Sequence, residues 1–253
     1  GGSGWSVVNN CIQDVMNNAT LGSFSNSFNV NGILLNAGNN HKIYHNTVNL
    51  FGASPGTAGD AVNCLSINAN TMTGIDVRNN LFANTATGGG ASDAHVCVFL
   101  PFTAAGSMNL TINNNAYYTG TIVNKSGIGF TGTTTYAAAN INTTLASFQA
   151  FTQTLGVATN DNASYFSTAP VPLIGCGVDL SSPQASALNG TGANGTGVTV
   201  DLTGDVRGTP PDIGSDEFIL LTCGSANGGT ISPASQSACN GSTKVMSSVG
   251  FDV

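Results

Sequence analysis

A repeat of about 35 residues is the feature of this sequence that most constrains its fold. Four segments share an apolar residue, an asparagine at the fourth position and further apolar residues around it. The aligned asparagines are Asn10, Asn46, Asn80 and Asn115, which lie 36, 34 and 35 residues apart. A unit this short cannot bury its apolar face alone, whereas stacked units form a continuous core. The repeat therefore predicts a solenoid.

Each repeat contains three short apolar stretches separated by Asn and Gly, and it ends in a Gly/Ala/Ser-rich excursion such as 53–60 or 86–93. Such spacing is also typical of a β-sandwich, but a sandwich would not produce a constant period of this length. We therefore predict an all-β fold, a solenoid of parallel strands. One more strand is expected at 127–130, and the apolar spacing within 137–155 is compatible with a short helix.

The repeated asparagines have a physical reason to occupy a corner. Asparagine tolerates the left-handed backbone conformation of a sharp turn, and its amide can bond to the same residue one coil away. We therefore predict an asparagine ladder that joins Asn10, Asn46, Asn80 and Asn115.

The cysteines indicate disulfides rather than metal binding. The six residues show neither CxxC nor His-paired zinc spacing, which points to an oxidising location outside the cell. Cys64 and Cys97 occupy corresponding places in adjacent repeats, where parallel strands lie about 4.8 Å apart. This spacing permits a disulfide. Two stacked, buried thiols are the equal alternative.

Charge limits the partners that we expect. The chain has 5 Lys and Arg against 12 Asp and Glu, a net charge of −7, and no basic cluster. Phosphate binding depends on several Lys or Arg, so nucleic acid and anionic membranes are not expected partners. The sequence contains no run of about 18 apolar residues, so membrane insertion is not expected. Residues 1–8 lack the regions of a signal peptide, and we expect the chain to begin within a longer polypeptide.

A polysaccharide lyase or glycoside hydrolase is the alternative to a non-enzymatic role. A lyase site requires acidic residues and a basic residue on one face, and convergence of Asp60, Asp76, Asp93 and Arg78 would favour it. Asp76 and Arg78 lie two apart on a predicted strand, hence on the same face, where we expect an exposed ion pair. The sequence contains no motif of clustered carboxylates, which a hydrolase would need as its acid and base.

The histidines show no pattern that predicts a metal site or a cofactor. His41, His45 and His95 are not accompanied by a matching set of Cys or carboxylate ligands. We expect them to be surface or turn residues.

The region 181–218 carries a recognisable series of motifs. Ser181-Ser182-Pro183 is followed by Asp205-Val206-Arg207 and by Asp212-Ile213-Gly214-Ser215-Asp216-Glu217-Phe218. This order resembles the closing signature of right-handed parallel β-helix proteins of Bacteroidota-type bacteria. In that family Ser-Pro, Gly-x-x-Arg and Asp-Ile-Gly-Ala-x-Glu follow one another as the last coil closes. Ser215 and Asp216 depart modestly from the small and aromatic residues usual there.

The resemblance covers about residues 5–218 and makes Arg207, Asp212, Asp216 and Glu217 the closing motif. We expect Arg207 to neutralise a carboxylate while the last coil is capped. Calcium binding by the three acids is the less favoured alternative.

The tail from Cys223 onward is similar to the opening of Ig-like or PKD-like repeats in secreted proteins of the same bacteria. It ends at Val253, too early for a sandwich of about 100 residues. We therefore expect a right-handed parallel β-helix at 1–218, a linker at 219–222 and the start of a truncated, Ig-like β-sandwich at 223–253.

The resemblance implies export, commonly by the type IX route, and display at the cell surface. We expect a non-enzymatic structural or adhesive module in which the solenoid is a stiff spacer whose faces contact glycans. Other domains of the same polypeptide, surface glycans and cell-envelope proteins are the expected partners. Tyr44, Tyr117 and Tyr118 are candidates for an aromatic stacking platform, and core packing explains them equally well.

Overall fold

The structure is a computed structural model, and it describes residues 2–16, 30–54 and 59–219. Apart from Ile219, the expected linker at 219–222 and the expected Ig-like segment at 223–253 lie outside the described residues.

The described residues form short strands and little helix. The strands are β1 (Ser6–Val8), β2 (Cys11–Gln13), β3 (Val30–Leu35), β4 (Lys42–Tyr44), β5 (Thr47–Leu50), β6 (Ala53–Ser54), β7 (Ala61–Ile67), β8 (Asp76–Arg78), β9 (Leu81–Asn84), β10 (Thr87–Gly88), β11 (Ala94–Leu100), β12 (Thr111–Asn113), β13 (Ala116–Thr119), β14 (Ser126–Thr131), β15 (Ile141–Asn142), β16 (Tyr165–Ser167), β17 (Leu173–Ile174) and β18 (Gly177–Val178). The α-helix is α1 (Leu145–Thr152), and 3₁₀ turns cover Gly106–Met108, Ala138–Asn140, Gln153–Leu155 and Pro183–Ala187.

Three sheets run along the molecule, and each coil contributes one strand to each. Sheet A has the order β1-β4-β8-β12, sheet B the order β16-β13-β9-β5-β2, and sheet C the order β15-β14-β11-β7-β3. All neighbouring strands are parallel except β14 and β15. Short β6 and β10 form a further parallel pair within the two predicted excursions.

The strand register reproduces the repeat that is visible in the sequence. Val7 pairs with Ile43, Ile43 with Val77, and Val77 with Ile112. The structure therefore confirms an all-β parallel solenoid of about three turns, with three strands per coil. Its right-handedness stays a prediction.

The core consists of apolar side chains stacked in rows inside the coils. Ile43, Val77 and Ile112 form one row on sheet A and are fully buried. Val48, Phe82 and Tyr117 form a second row on sheet B, in which the rings of Phe82 and Tyr117 stack at 6.3 Å. Because every row continues through several coils, burial is shared between repeats rather than completed within one.

The end formed by the last coil is capped. The antiparallel strand β15 covers the edge of β14, and α1 places Phe148 against Tyr117 at a ring distance of 5.6 Å. The helix begins at a capping box formed by Thr144 and Ser147. It is shorter than the predicted span of 137–155, because 3₁₀ turns occupy part of that span on either side of it.

The residues after the last coil turn back over the solenoid. We call residues 168–219, which follow β16, the closing segment. It packs on the outer face of sheet B, where Leu188 and Ile213 join Leu81, Ala116 and Tyr118 in an apolar cluster. A second cluster lies on the outer face of sheet C at β11 and β14, with Ile141 and Tyr136 against these strands. Within the described residues, no apolar cluster covers the outer face of sheet A.

Candidate functional site

The repeated asparagines lie at the corner between sheets A and B, and they form a hydrogen-bonded ladder. The Nδ2 atom of Asn10 donates to Oδ1 of Asn46 at 2.9 Å, and the same bond joins Asn46 to Asn80 and Asn80 to Asn115, each at 2.9 Å. Each Oδ1 also accepts the backbone N–H of the preceding asparagine at 3.0 Å. Ser164 ends the series by accepting from the N–H of Asn115.

The left-handed residue of this corner is not the ladder asparagine, and the predicted assignment was wrong by one position. Asn9, His45, Asn79 and Asn114 have the positive φ angles, from 51° to 60°. The residue before the ladder makes the turn, and the ladder residue is then directed into the corner. Adjacent Asn-Asn pairs in three of the four repeats indicate these two roles, one asparagine for the turn and the next for the ladder.

The left-handed residues of the corner are bound from outside by one stretch of the closing segment. We call residues 191–200 the strap. Asn114 Nδ2 donates to the carbonyl of Thr191 at 3.1 Å, and Asn79 Nδ2 to that of Ala193 at 2.9 Å. Farther along, His45 Nε2 lies 3.2 Å from Thr196 Oγ1. Asn9 Nδ2 donates to the carbonyl of Val200 at 2.7 Å. The strap therefore runs from the last coil back to the first.

The closing motif lies on the flank of the solenoid and not over its last coil. Arg207 reaches the first coil, where its Nη2 donates to Oδ1 of Asn9 at 2.9 Å. Gly214 N donates to the carbonyl of Asn79, and the hydroxyl of Ser215 donates to Thr47 at 2.9 Å. The expectation that this motif caps the last coil was wrong, because α1 and β15 occupy that end.

Within the closing motif, the carboxylates accept hydrogen bonds from the chain itself. Glu217 accepts from Nη1 of Arg207 at 3.3 Å, which is the expected charge neutralisation. Asp212 accepts the N–H groups of Gly190 and Phe218, and Asp216 accepts that of Val178. Burial raises the pKa of Asp212 to about 6, although these N–H groups oppose the shift. The motif therefore ties loops of the closing segment together.

A disulfide joins the closing segment to the first coil. Cys11 on β2 is bonded to Cys176, which lies in the turn between β17 and β18. Next to it, the side-chain amide of Gln13 donates to the carbonyl of Gly175. Disulfides are consistent with the expected location outside the cell. This pairing was not predicted, because Cys176 lies outside the repeat and has no aligned counterpart.

Cys64 and Cys97 are two buried thiols, so the structure supports that alternative and not a disulfide between them. Cys64 Sγ donates to the carbonyl of Ala83 at 3.2 Å, and Cys97 Sγ to that of Phe82 at 3.3 Å. Side chains in register on parallel strands point the same way about 4.8 Å apart, wider than the ~3.8 Å between the Cβ atoms of a disulfide. Burial raises the pKa of Cys64 well above its usual value.

The residues considered for a lyase site fall into two groups. Asp60 and Asp93 precede β7 and β11 at the corner between sheets B and C, where Asp60 N donates to Asp93 Oδ1 at 2.9 Å. Asp76 and Arg78 lie on the outer face of sheet A, which is the side of the coil opposite this corner. The structure therefore does not bring the four residues together.

Asp76 and Arg78 form the predicted ion pair, at 2.7 Å, and Tyr44 joins it. The hydroxyl of Tyr44 donates to Asp76 at 2.6 Å, and the Arg78 guanidinium lies 5.1 Å from the centre of the Tyr44 ring. Burial and the bond to Asp76 raise the pKa of Tyr44. The pair is only about one-fifth exposed, with side-chain values of 22% and 23%, so the sequence overestimated its exposure.

The histidines are buried, although they were predicted to be surface or turn residues. His45 occupies a turn as expected, but the strap and the closing motif cover it; burial, followed by the charge of Arg207, lowers its pKa to about 3. His41 lies against the first coil, where its Nδ1 accepts the N–H of Trp5. His95 lies within β11, and burial lowers its pKa. Within the described ranges, no three His, Cys, Asp or Glu residues are grouped to hold a metal ion.

The outer face of sheet A is the candidate contact surface. Two parallel rows of side chains cross it: Ser6, Lys42, Asp76 and Thr111 in one, and Val8, Tyr44, Arg78 and Asn113 in the other. Neighbouring side chains in a row lie about 4.8 Å apart. The face offers an ammonium, a guanidinium, a carboxylate, a hydroxyl and an amide in two adjacent rows.

The expected aromatic platform is not present on that face. Tyr117 and Tyr118 are fully buried, and Tyr44 is only 3% exposed. Core packing therefore explains these three residues. Any ligand of sheet A would contact polar groups rather than an open ring.

No helix in the described ranges combines the length and apolarity that crossing a membrane requires. Comparisons of the chain with known protein families, with curated proteins and with solved structures found no match.

Proposed function

We propose that this protein is a non-enzymatic structural and adhesive module of a secreted cell-surface protein, and that the outer face of sheet A contacts surface glycans. The observation that carries the proposal is the difference between the three outer faces. Apolar clusters of the chain itself cover sheet B and the β11 and β14 strands of sheet C, whereas sheet A presents mostly polar side chains in register. Hydroxyl-rich polymers are recognised by such groups when they are fixed in position.

The placement of the charged residues supports a binding role over the alternative of a polysaccharide lyase or glycoside hydrolase. Arg78 is held by Asp76 through two nitrogens, each at 2.7 Å, so its charge is already compensated. A general base requires a group that can release its proton near neutral pH. The raised pKa values of Tyr44 and Arg78 are unsuited to that task.

The disulfide and the motif resemblance support the proposed location and partners. The Cys11–Cys176 bond is suited to an oxidising environment. The resemblance of 181–218 to closing motifs of Bacteroidota-type surface proteins favours display by a type IX-like route. Other domains of the same polypeptide and cell-envelope proteins are then the proposed neighbours, together with the Ig-like tail inferred from the sequence.

A binding screen with matched variants tests the proposal. The full chain is applied to immobilised neutral and acidic polysaccharides, and bound protein is quantified. We expect binding to at least one, and at least a tenfold loss in a Lys42→Ser variant and in a double variant Asp76→Asn with Arg78→Gln. The double variant removes both charges together, so neither is left unpaired.

Val123→Ser is the matched control, because Val123 is 81% exposed and lies outside sheet A. It should bind as the unchanged protein does. No binding to any polysaccharide, or equal binding by the sheet A variants, would contradict the proposal. New reducing ends or unsaturated sugars formed from a bound polymer would favour the enzymatic alternative.

A further inference from the structure

The path of the chain through this module differs from that of a simple spacer. A spacer receives the chain at one end of the rod and releases it at the other. Here the first coil holds residues 2–13, and the strap returns the chain from the last coil to the first. Residues 213–218 then lie against sheet B, where Gly214 contacts Asn79 and Ser215 contacts Thr47. The capped end therefore lies off the path between the two ends of the described chain.

A disulfide also joins two points of this path that are far apart in sequence. Cys11 lies near the beginning of the first coil, and Cys176 lies in the closing segment, with 165 residues of sequence separation. The loop closed by this bond contains most of the coils, α1 and the capped end. Cys11, Gln13 and Asn9 of the first coil all contact the closing segment. The disulfide therefore lies beside non-covalent contacts that join the first coil to the closing segment.

We infer that the module has a further, mechanical function: the disulfide and the strap form a clamp that keeps tension along the polypeptide out of the solenoid coils. Tension that enters at the first coil passes from Cys11 to Cys176 and leaves through the closing segment. The coils between the two cysteines lie in a side loop of this path. The inference does not depend on glycan contact by sheet A.

The strap sets the order of events when the chain is pulled from its C-terminal side, because it lies between Cys176 and that end. Its contacts with Asn9, His45, Asn79 and Asn114 follow one another along the chain, one per coil. Pulling the chain from its C-terminal side would load Val200 on the first coil before Thr191 on the last. The contacts would therefore break singly rather than together. The coils would then come under tension only if the Cys11–Cys176 bond is reduced.

The size of the protected loop makes the inference measurable. A fully extended chain spans at most about 3.3–3.6 Å per residue, so the sequence separation of 165 between the cysteines corresponds to roughly 560 Å. While the disulfide is intact, the chain between Cys11 and Cys176 cannot extend at any force below that which ruptures a covalent bond. A reduced clamp releases this length.

Single-molecule stretching of the full chain between folded handle domains tests the clamp. Cys223→Ser and Cys239→Ser are present throughout, because both cysteines lie outside the described residues. We expect the maximal extension to increase by roughly 560 Å when dithiothreitol is added. Reduction transfers two electrons and two protons to the Sγ–Sγ bond, and the dithiothreitol closes to its own disulfide.

Two variants make the result specific. Cys11→Ser with Cys176→Ser should extend fully without reductant, and Cys64→Ala with Cys97→Ala should keep the reductant-dependent step, because these thiols are free. If the variant without Cys11 and Cys176 folds poorly, the protein that retains both cysteines can be folded first and then reduced with dithiothreitol. This comparison needs no change to the disulfide. Equal extension with and without reductant would overturn the inference, as would loss of the step in the Cys64/Cys97 variant.

Discussion

Arg207 and Asn9 are 198 residues apart in sequence, and the Nη2 of Arg207 donates to Oδ1 of Asn9 at 2.9 Å. The same guanidinium bonds the carbonyl of Gly214 at 3.0 Å and the carboxylate of Glu217 at 3.3 Å. One buried side chain thus joins the first corner of the solenoid to the closing motif. Burial lowers the pKa of Arg207, and the charge of Glu217 opposes that shift.

Replacing Arg207 with Met should destabilise the fold strongly. The variant leaves Glu217 without its cationic partner and removes the bond to Asn9, and breaking one side of a buried pair costs about 3 kcal/mol. Urea unfolding of the full chain measures the change. Lys42→Met, on the exposed side of sheet A, is the control and should change stability by less than about 0.5 kcal/mol. Equal stability of the two variants would contradict the role of Arg207.

The ladder predicts different costs at its middle and at its end. Asn80 accepts from the N–H of buried Asn46 and donates to the carbonyl of Ile43, so Asn80→Ala leaves buried backbone groups without partners. We expect a loss of about 3 kcal/mol, since each such group costs roughly 1–3 kcal/mol. Asn10 is exposed at the end of the ladder, and Asn10→Ala should cost about 1 kcal/mol. Thermal unfolding that ranks the two in the opposite order would exclude the ladder.

His45 predicts a loss of stability in acid. Its folded pKa is about 3, below the ordinary value of 6.5, so the unfolded chain takes up a proton first as the pH falls. Stability is therefore fully present above pH 6.5 and declines below it, by about 1.4 kcal/mol per pH unit. A His45→Gln variant lacks this slope. Between pH 7 and pH 4, the difference in unfolding free energy between the two proteins should therefore change with this slope. A difference that stays constant with pH would mean that His45 is accessible.

Asp161 predicts the opposite slope. It is buried and accepts from the hydroxyls of Tyr117 and Thr152 at 2.7 and 3.0 Å, and burial raises its pKa to about 6. The folded chain therefore holds a proton that the unfolded chain has lost, and this contribution to stability disappears as the pH rises from about 4 to 6. Relative to Asp161→Asn, the unchanged protein should become less stable over that interval in the same unfolding series. A slope of the other sign would show an ionised Asp161.

The sequence predicted the elements that repeat. The asparagines at 34- to 36-residue intervals defined the register, because asparagines stacked at one corner bond to each other from coil to coil. The strand at 127–130 is found as β14, and the Asp76–Arg78 ion pair follows from the alternation of side chains on a strand.

The features that do not repeat could not be predicted in this way. The strap contacts the corner through backbone carbonyls of Thr191, Ala193 and Val200, and carbonyls leave no pattern in a sequence. The Cys11–Cys176 pairing depends on the return path of the chain, and spacing alone gives no information on that path. The burial of His45 could not be predicted either, because the segment that covers it is about 150 residues away.

The return of the closing segment to the first coil is the claim on which the rest depends, and disulfide mapping tests it most directly. The full chain is alkylated under denaturing conditions without reductant, digested and analysed by mass spectrometry. The account predicts a peptide pair that links Cys11 to Cys176, with Cys64 and Cys97 both alkylated. A pair that links Cys64 to Cys97, or Cys11 to any cysteine other than Cys176, would contradict it.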